Sequence, residues 1–461
     1  MITAPLPAAP AELSAVECTS RCPLLLLVGS GLIWLLLSGV LGLIAAVQLH
    51  SPTVLAGCRY LNYGHMQAMA ETAFIYGWIG NLGLAITLWV LRQLSAEPLR
   101  AVGWTLVGAS FWNLGVLLGL IGIAAGEATG IPLLQMPGAV QPLLLVAYGA
   151  IGVAGVLAWA DRRREMMFAS HWYAVAALFL FPWLFSAAQV MLVWAPVRGT
   201  LQAVVGGWFA QGLWTLWIAP LALAGAYYVA PRASGKLMPA YDSSALGFWA
   251  LLFLGGWTGG RHLIGGPVPA WISTIAIVTT VMLLFHYIVV FLNLRVAYGA
   301  GGTALKFIGF GLAAYVAGGF IDALTSVRAV AEVTQFTFFD AAQHQLAVYG
   351  GASMLLIGAL YFALPRITGK PWASAGLIRG HWALTVIGLV LLVIALAGAG
   401  WVQGTDLNNA AVSFAEIADH TRPWLLAATA AQAILLLASF LLTVNFIRSA
   451  MPECPWGREA S

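Results

Sequence analysis

Twelve apolar stretches run through the chain, near 24–47, 64–92, 101–124, 139–160, 171–193, 203–230, 244–263, 271–295, 304–328, 338–364, 380–402 and 424–447. Each approaches or exceeds the roughly 20 residues that a helix needs to cross a bilayer. They are read as spanning helices, joined by short connections and without a soluble module. The expected organisation is an N-terminal tail (1–22), one all-α membrane domain (23–449) and a C-terminal tail (450–461). Of the 461 residues, 61% are hydrophobic and 8% charged, more apolar surface than a soluble interior could hide. Membrane lipid is therefore the first expected partner. The modest net charge of +4 gives no case for nucleic acid.

Orientation follows from the basic residues. With alternating helices, one side holds only Arg59, Arg198, Arg261, Arg328 and Arg422, and the other holds the remaining Lys and Arg, including "DRRRE" at 161–165. Both termini are thus expected in the cytoplasm of a bacterial-type inner membrane. The opposite side carries Asp406, Glu416 and Asp419, which read first as a solvated loop. Cys18, Cys22, Cys58 and Cys454 are scattered and lack the neighbours that a metal site or a disulfide framework would need.

Polar groups inside spanning helices are costly and mark protein-facing positions. Glu71 lies in the second helix, Gln211 in the sixth, Arg261 and His262 near the end of the seventh, and Gln343, His344 and Gln345 in the tenth. In an alternating topology all of them fall in the outer third of the bilayer, which suggests a common interior site. For any one glutamine, an ordinary helix-to-helix hydrogen bond is the plainer reading. Gln343 and Gln345 are two residues apart, about 200° of helical rotation, so one helix faces two different pockets. His50, His171, His286, His381 and His420 read as structural.

Four stretches carry a resemblance: "AFIYGWIGNLGLA", "LQAVVGGWFAQGLWTLWIAPLALAGAYYVAPR", "ALGFWALLFLGGWTGGRHLIGGPVPAW" and "AAQHQLAVYGGASMLLIGALYFALPR". They are similar to the second, sixth, seventh and tenth helices of subunit I of the haem-copper oxidase superfamily, closest to the cbb-type cytochrome c oxidases and the nitric oxide reductase large subunit. The resemblance implies a twelve-helix oxidase subunit I-like bundle. It also implies a low-spin haem held by histidines of the second and tenth helices, a high-spin haem on the other tenth-helix histidine, and copper held by the sixth and seventh helices beside a tyrosine.

Matched residue by residue, the chain departs from that pattern. The low-spin position of the second helix falls at Ala70, the tenth-helix pair at Gln343 and Gln345, the copper positions at Gln211, Arg261 and His262, and the tyrosine at Gly255. Of the six ligand positions only His262 keeps an imidazole. Haem iron takes imidazole, thiolate, thioether or phenolate. Copper prefers imidazole, and a guanidinium stays protonated and cannot ligate. The expectation is a degenerate subunit I homologue without cofactor, a structural or assembly subunit among other membrane or cytochrome c-type subunits. A rival reading keeps one haem b through His65 and His344, as an electron-transfer subunit or oxygen reductase with atypical ligands. A third, a transport or proton-conducting scaffold, calls for a polar path to the cytoplasm, of which the sequence offers only Asp322 and scattered Ser and Thr. Two structural expectations accompany the first reading. Side chains, aromatic ones such as Trp208, Trp214 and Trp217 among them, should fill the sites flanking the tenth helix. Arg261 should find Gln211, Gln343, backbone carbonyls or a buried carboxylate.

Overall fold

The computed structural model describes residues 15–95, 97–162 and 167–450. The tails up to residue 14 and beyond residue 450, the Cys18 side chain, Cys454, and Arg163 and Arg164 of the basic anchor lie outside the described residues. The described chain is helical, without strands. Eleven helices are long and apolar enough to cross a membrane. In chain order they and one shorter helix are α1 (Ala15–His50), α2 (Tyr63–Ser95), α3 (Val102–Ala125), α4 (Gln141–Ala160), α5 (Ala169–Trp194), α6 (Thr200–Ser234), α7 (Ser244–Gly255), α8 (Ala270–Ala297), α9 (Thr303–Thr325), α10 (Phe338–Thr368), α11 (Ala375–Leu407) and α12 (Phe414–Ala450). The helix α1 starts at Ala15, inside the segment expected to be a tail.

The expected seventh span is corrected to a broken one. Helix α7 stops at Gly255, and a 3₁₀ segment, Thr258–Leu263, completes the path. Four glycines in "GGWTGG" withhold helix propensity. Tertiary contact fixes the break, because a Cβ on Gly259 would stand 2.5 Å from the Gly207 carbonyl oxygen of α6. A short helix, Arg328–Thr334, fills the connection from α9 to α10.

Burial ranks the helices. Over their most apolar windows α2 and α6 are 94% buried and α10 83%, whereas α11 and α12 reach 44% and 39%. The three central helices are those that carry Glu71, Gln211 and the Gln343–Gln345 trio, so these polar groups face protein and not lipid. An aromatic core joins α2 to α6. Trp217, Phe181, Tyr148, Trp112 and Tyr76 interlock, with Phe181 and Trp217 centroids 4.3 Å apart. Their polar atoms are satisfied: Trp217 donates to the Tyr148 hydroxyl at 3.1 Å, and Tyr148 to the Ala177 carbonyl at 2.7 Å. Trp78 of α2 donates to Ser353 of α10 at 2.8 Å, tying the second helix to the tenth.

Candidate functional site

Each central helix widens into a π-turn where its polar residues lie: Ala73–Ile79 in α2, Leu213–Ile218 in α6 and Gln345–Ser353 in α10. Such turns are rare and concentrate at functional sites. Here they begin two residues after Glu71, Gln211 and Gln343.

Two cavities flank α10. The large one, about 770 Å³, lies between α2, α6, α9, α10 and the 3₁₀ segment, and its wall includes Glu71, Gln211, Arg261, His262, Gln343 and His344. Of the residues picked out as one interior site, all but Gln345 thus meet in one cavity. The small one, about 90 Å³, lies between α1, α2, α10 and α12, and both Ala70 and Gln345 line it. Gln343 therefore faces one pocket and Gln345 the other, as two positions on opposite sides of one helix must. His344, between them, borders both.

The filling expected of both pockets holds only for the small one. There Phe74 of α2 stacks on Tyr349 of α10, centroids 5.3 Å apart. The large cavity stays open, and small residues are part of its wall, Gly206 and Ala210 of α6 and Gly318 of α9 among them. Trp214 borders it without closing it, Trp217 belongs to the aromatic core, and Trp208 turns to Trp183 on the lipid side, centroids 5.6 Å apart. At the rim, Leu133 and Phe336 hold left-handed backbone at φ 62° and 61°, a conformation costing about 1–2 kcal/mol for residues with a Cβ.

Arg261 is buried, 8% exposed, and its partner is Asp322 of α9. The guanidinium makes an ion pair with the carboxylate, and Nη1 also donates to the Asp322 carbonyl oxygen at 3.4 Å. The Gln343 side-chain amide donates to the same carboxylate, and the Thr325 hydroxyl donates to the Gln343 side-chain oxygen Oε1 at 3.3 Å. The buried-carboxylate partner anticipated for Arg261 is thus Asp322, and Gln343 joins it from the third side. Gln211 lines the cavity, but among the described residues no hydrogen bond links it to Arg261. Gln345 also departs from expectation: among the described residues its side chain has no interhelical hydrogen bond. At Gly255 there is no room for a larger side chain, since a Cβ would sit 2.7 Å from that of Thr215.

The pairing of His65 with His344 is not formed. His65 lies in the first turn of α2, where Asn62 caps its backbone N–H at 3.0 Å and its Nδ1 lies 3.1 Å from the Asn62 amide. It lines neither cavity. His344 instead turns to Glu71, Nε2 to Oε1 4.0 Å, and Glu71 accepts from Gln135 at 3.0 Å. The five histidines read as structural all have partners. His50 meets Thr429, His171 caps the Phe168 N–H, His381 meets Tyr361, and His420 meets Asp406.

His286, the fifth, belongs to a buried polar line that sequence reasoning missed. Its Nε2 lies 2.8 Å from the Tyr315 hydroxyl and its Nδ1 2.8 Å from the Gly247 carbonyl oxygen. Tyr315 packs at a tilt against Tyr287 of the cavity wall, centroids 5.0 Å apart. Two turns further along α8, Asn293 donates to Ser244 at 3.2 Å, at the far end of α7. The residues of this line come from three helices and lie far apart in the chain, so no short motif announces them.

Comparison with known proteins agrees with this architecture. The family model for cytochrome C and quinol oxidase polypeptide I matches residues 23–434. The Cbb3-type cytochrome c oxidase subunit CcoN1 of Stutzerimonas stutzeri is 22% identical over 442 residues, 92% of this chain and 93% of that protein. A nitric oxide reductase subunit of the same organism is 31% identical over 132 residues, covering 27% of this chain and 26% of its own. A heme-copper terminal oxidase dimer solved by cryo-EM superposes with a TM-score of 0.72 at 11% identity, over 97% of this chain and 86% of the other. The chain therefore belongs to the cytochrome c and quinol oxidase polypeptide I family, subunit I of the haem-copper oxidase superfamily.

Proposed function

We propose that this subunit I homologue has lost most of its haem and copper ligands and serves as a structural or assembly subunit of a respiratory-type membrane complex. The observation that carries the reading is the donor set around α10. Across the small cavity a methyl group, Ala70, faces an amide, Gln345. On the large cavity Gln343 is committed to Asp322, and Arg261, a fixed cation, stands where the resemblance puts a copper ligand. An amide is a poor haem ligand, and a guanidinium both fails to ligate a copper ion and repels it. Among the described residues no three His, Cys, Asp or Glu stand together as a metal-ligand set. These residues do not fit the haems or the copper that the family implies, so no redox step is derived through them.

The relatives are bacterial oxidase and reductase subunits, which supports an inner-membrane location and partners among membrane or cytochrome c-type subunits. The uneven distribution of basic residues supports cytoplasmic termini. The rival haem b site through His65 and His344 has no support in the geometry, since the two residues border no common cavity. Purified protein is expected to show no Soret band near one haem per chain and no stoichiometric copper. A washed preparation with a strong Soret band would overturn the reading, and a defined set of co-purifying subunits from native membranes would identify the complex.

One observation favours a second reading, proton conduction. Polar groups that the sequence did not disclose as a path, Tyr315 with His286 and, two turns further along α8, Asn293 with Ser244, lie between the cavity and the far end of α7. In proteoliposomes His286→Phe is expected to abolish any proton leak the parent shows. A parent as tight as empty vesicles would remove this reading.

A further inference from the structure

Acidic side chains outnumber basic ones on the wall of the large cavity: Glu71, Asp322 and Asp340 line it, with one guanidinium, Arg261. Arg261 is committed to Asp322. Asp340 accepts from the Phe336 backbone N–H at 2.8 Å and Glu71 from the Gln135 amide at 3.0 Å, and both donors are neutral. His344 neighbours both acids, its Nε2 4.0 Å from Glu71 and its place on α10 one turn beyond Asp340, a spacing that puts residues on one helix face. Deeper in, along α6 and α8, the wall becomes aromatic and apolar, with Trp214, Tyr287 and Ile218. A volume of about 770 Å³ falls in the roughly 300–1,000 Å³ range of small-molecule sites, which combine apolar walls with a few polar groups.

We propose that this cavity binds a small amphiphilic organic cation, its ammonium group between Glu71 and Asp340 and its apolar body against Trp214 and Tyr287. The inference rests on the haem-free reading of the same cavity. Burial of hydrocarbon favours the inner end. Carboxylates and aromatic faces both attract an ammonium group. An anion would meet two acidic side chains, and the one guanidinium on the wall is paired with Asp322. A bare metal ion would lack a ligand set among the described residues.

The test uses the full chain in nanodiscs of zwitterionic lipid, with calorimetric titration of 2-phenylethylammonium and of its neutral near-isostere 2-phenylethanol, each corrected against empty nanodiscs. The cation should saturate at one per chain, and the alcohol should bind at least about tenfold more weakly, the difference one charge-assisted hydrogen bond makes. Glu71→Gln and Asp340→Asn should each weaken the cation by about tenfold and leave the alcohol unchanged. Both replacements keep an oxygen that accepts from Gln135 or Phe336, and an unchanged melting temperature shows that the fold is intact. Equal affinity for the two probes, full affinity in the variants, or no saturable binding by haem-free protein would overturn the proposal alone. A preparation carrying near one haem per chain in this cavity would overturn the haem-free reading and the proposal together.

Discussion

Arg261→Leu lowers the stability of the bundle by about 3–5 kcal/mol, the scale expected when one partner of a buried ion pair is removed and the other charge stays behind. The size comes from Asp322. The Asp322 carboxylate is buried between α9 and α10 with Arg261 as its charged partner and Gln343 as its neutral one. Leucine removes the countercharge and supplies no donor. The Arg261→Leu/Asp322→Asn double variant should recover to within about 1–1.5 kcal/mol of the parent, because asparagine carries no charge to compensate and still accepts from Gln343. Unfolding by SDS titration in mixed micelles, with tryptophan fluorescence as readout, measures all three proteins. An Arg261→Leu chain as stable as the parent would mean that the ion pair does not hold α9 to the 3₁₀ segment.

The second large effect separates the two cavities. Gln343→His places an imidazole on the wall of a cavity of about 770 Å³, and reconstitution with haem should give a Soret band near one haem per chain. The pair Ala70→His/Gln345→His restores both imidazoles of the other site but faces about 90 Å³ closed by the Phe74–Tyr349 stack. Close-packed interiors do not yield such volume without displacing side chains, so this variant should take up no stoichiometric haem. Adding Phe74→Ala should open the site and raise uptake. Equal loading of the two histidine variants, each verified as folded by its melting curve, would contradict the asymmetry.

The same asymmetry marks the boundary of sequence reasoning. Residue identity tells which ligands are present at matched positions, and Gln343 and Gln345 are two residues of one helix. Whether the space beyond each has closed depends on which side chains other helices bring to it, such as Phe74 of α2 against Tyr349 at one pocket and Trp214 of α6 at the border of the other. The break in α7 follows the same rule. Its glycines are visible as weak helix formers, yet the break is fixed by the backbone approach of Gly259 to Gly207.

By itself the sequence determined the membrane class, eleven of the twelve helical spans and the inward direction of their polar residues. The reason is solvent: a bilayer forces every long apolar run into a helix and every buried charge toward protein. Tertiary structure alone decided that Arg261 pairs with Asp322, 61 residues away, that His65 and His344 stay apart, and that one cofactor-sized cavity remains open while the other is closed. Those outcomes depend on distances and volumes between helices, which are properties of packing and not of local sequence.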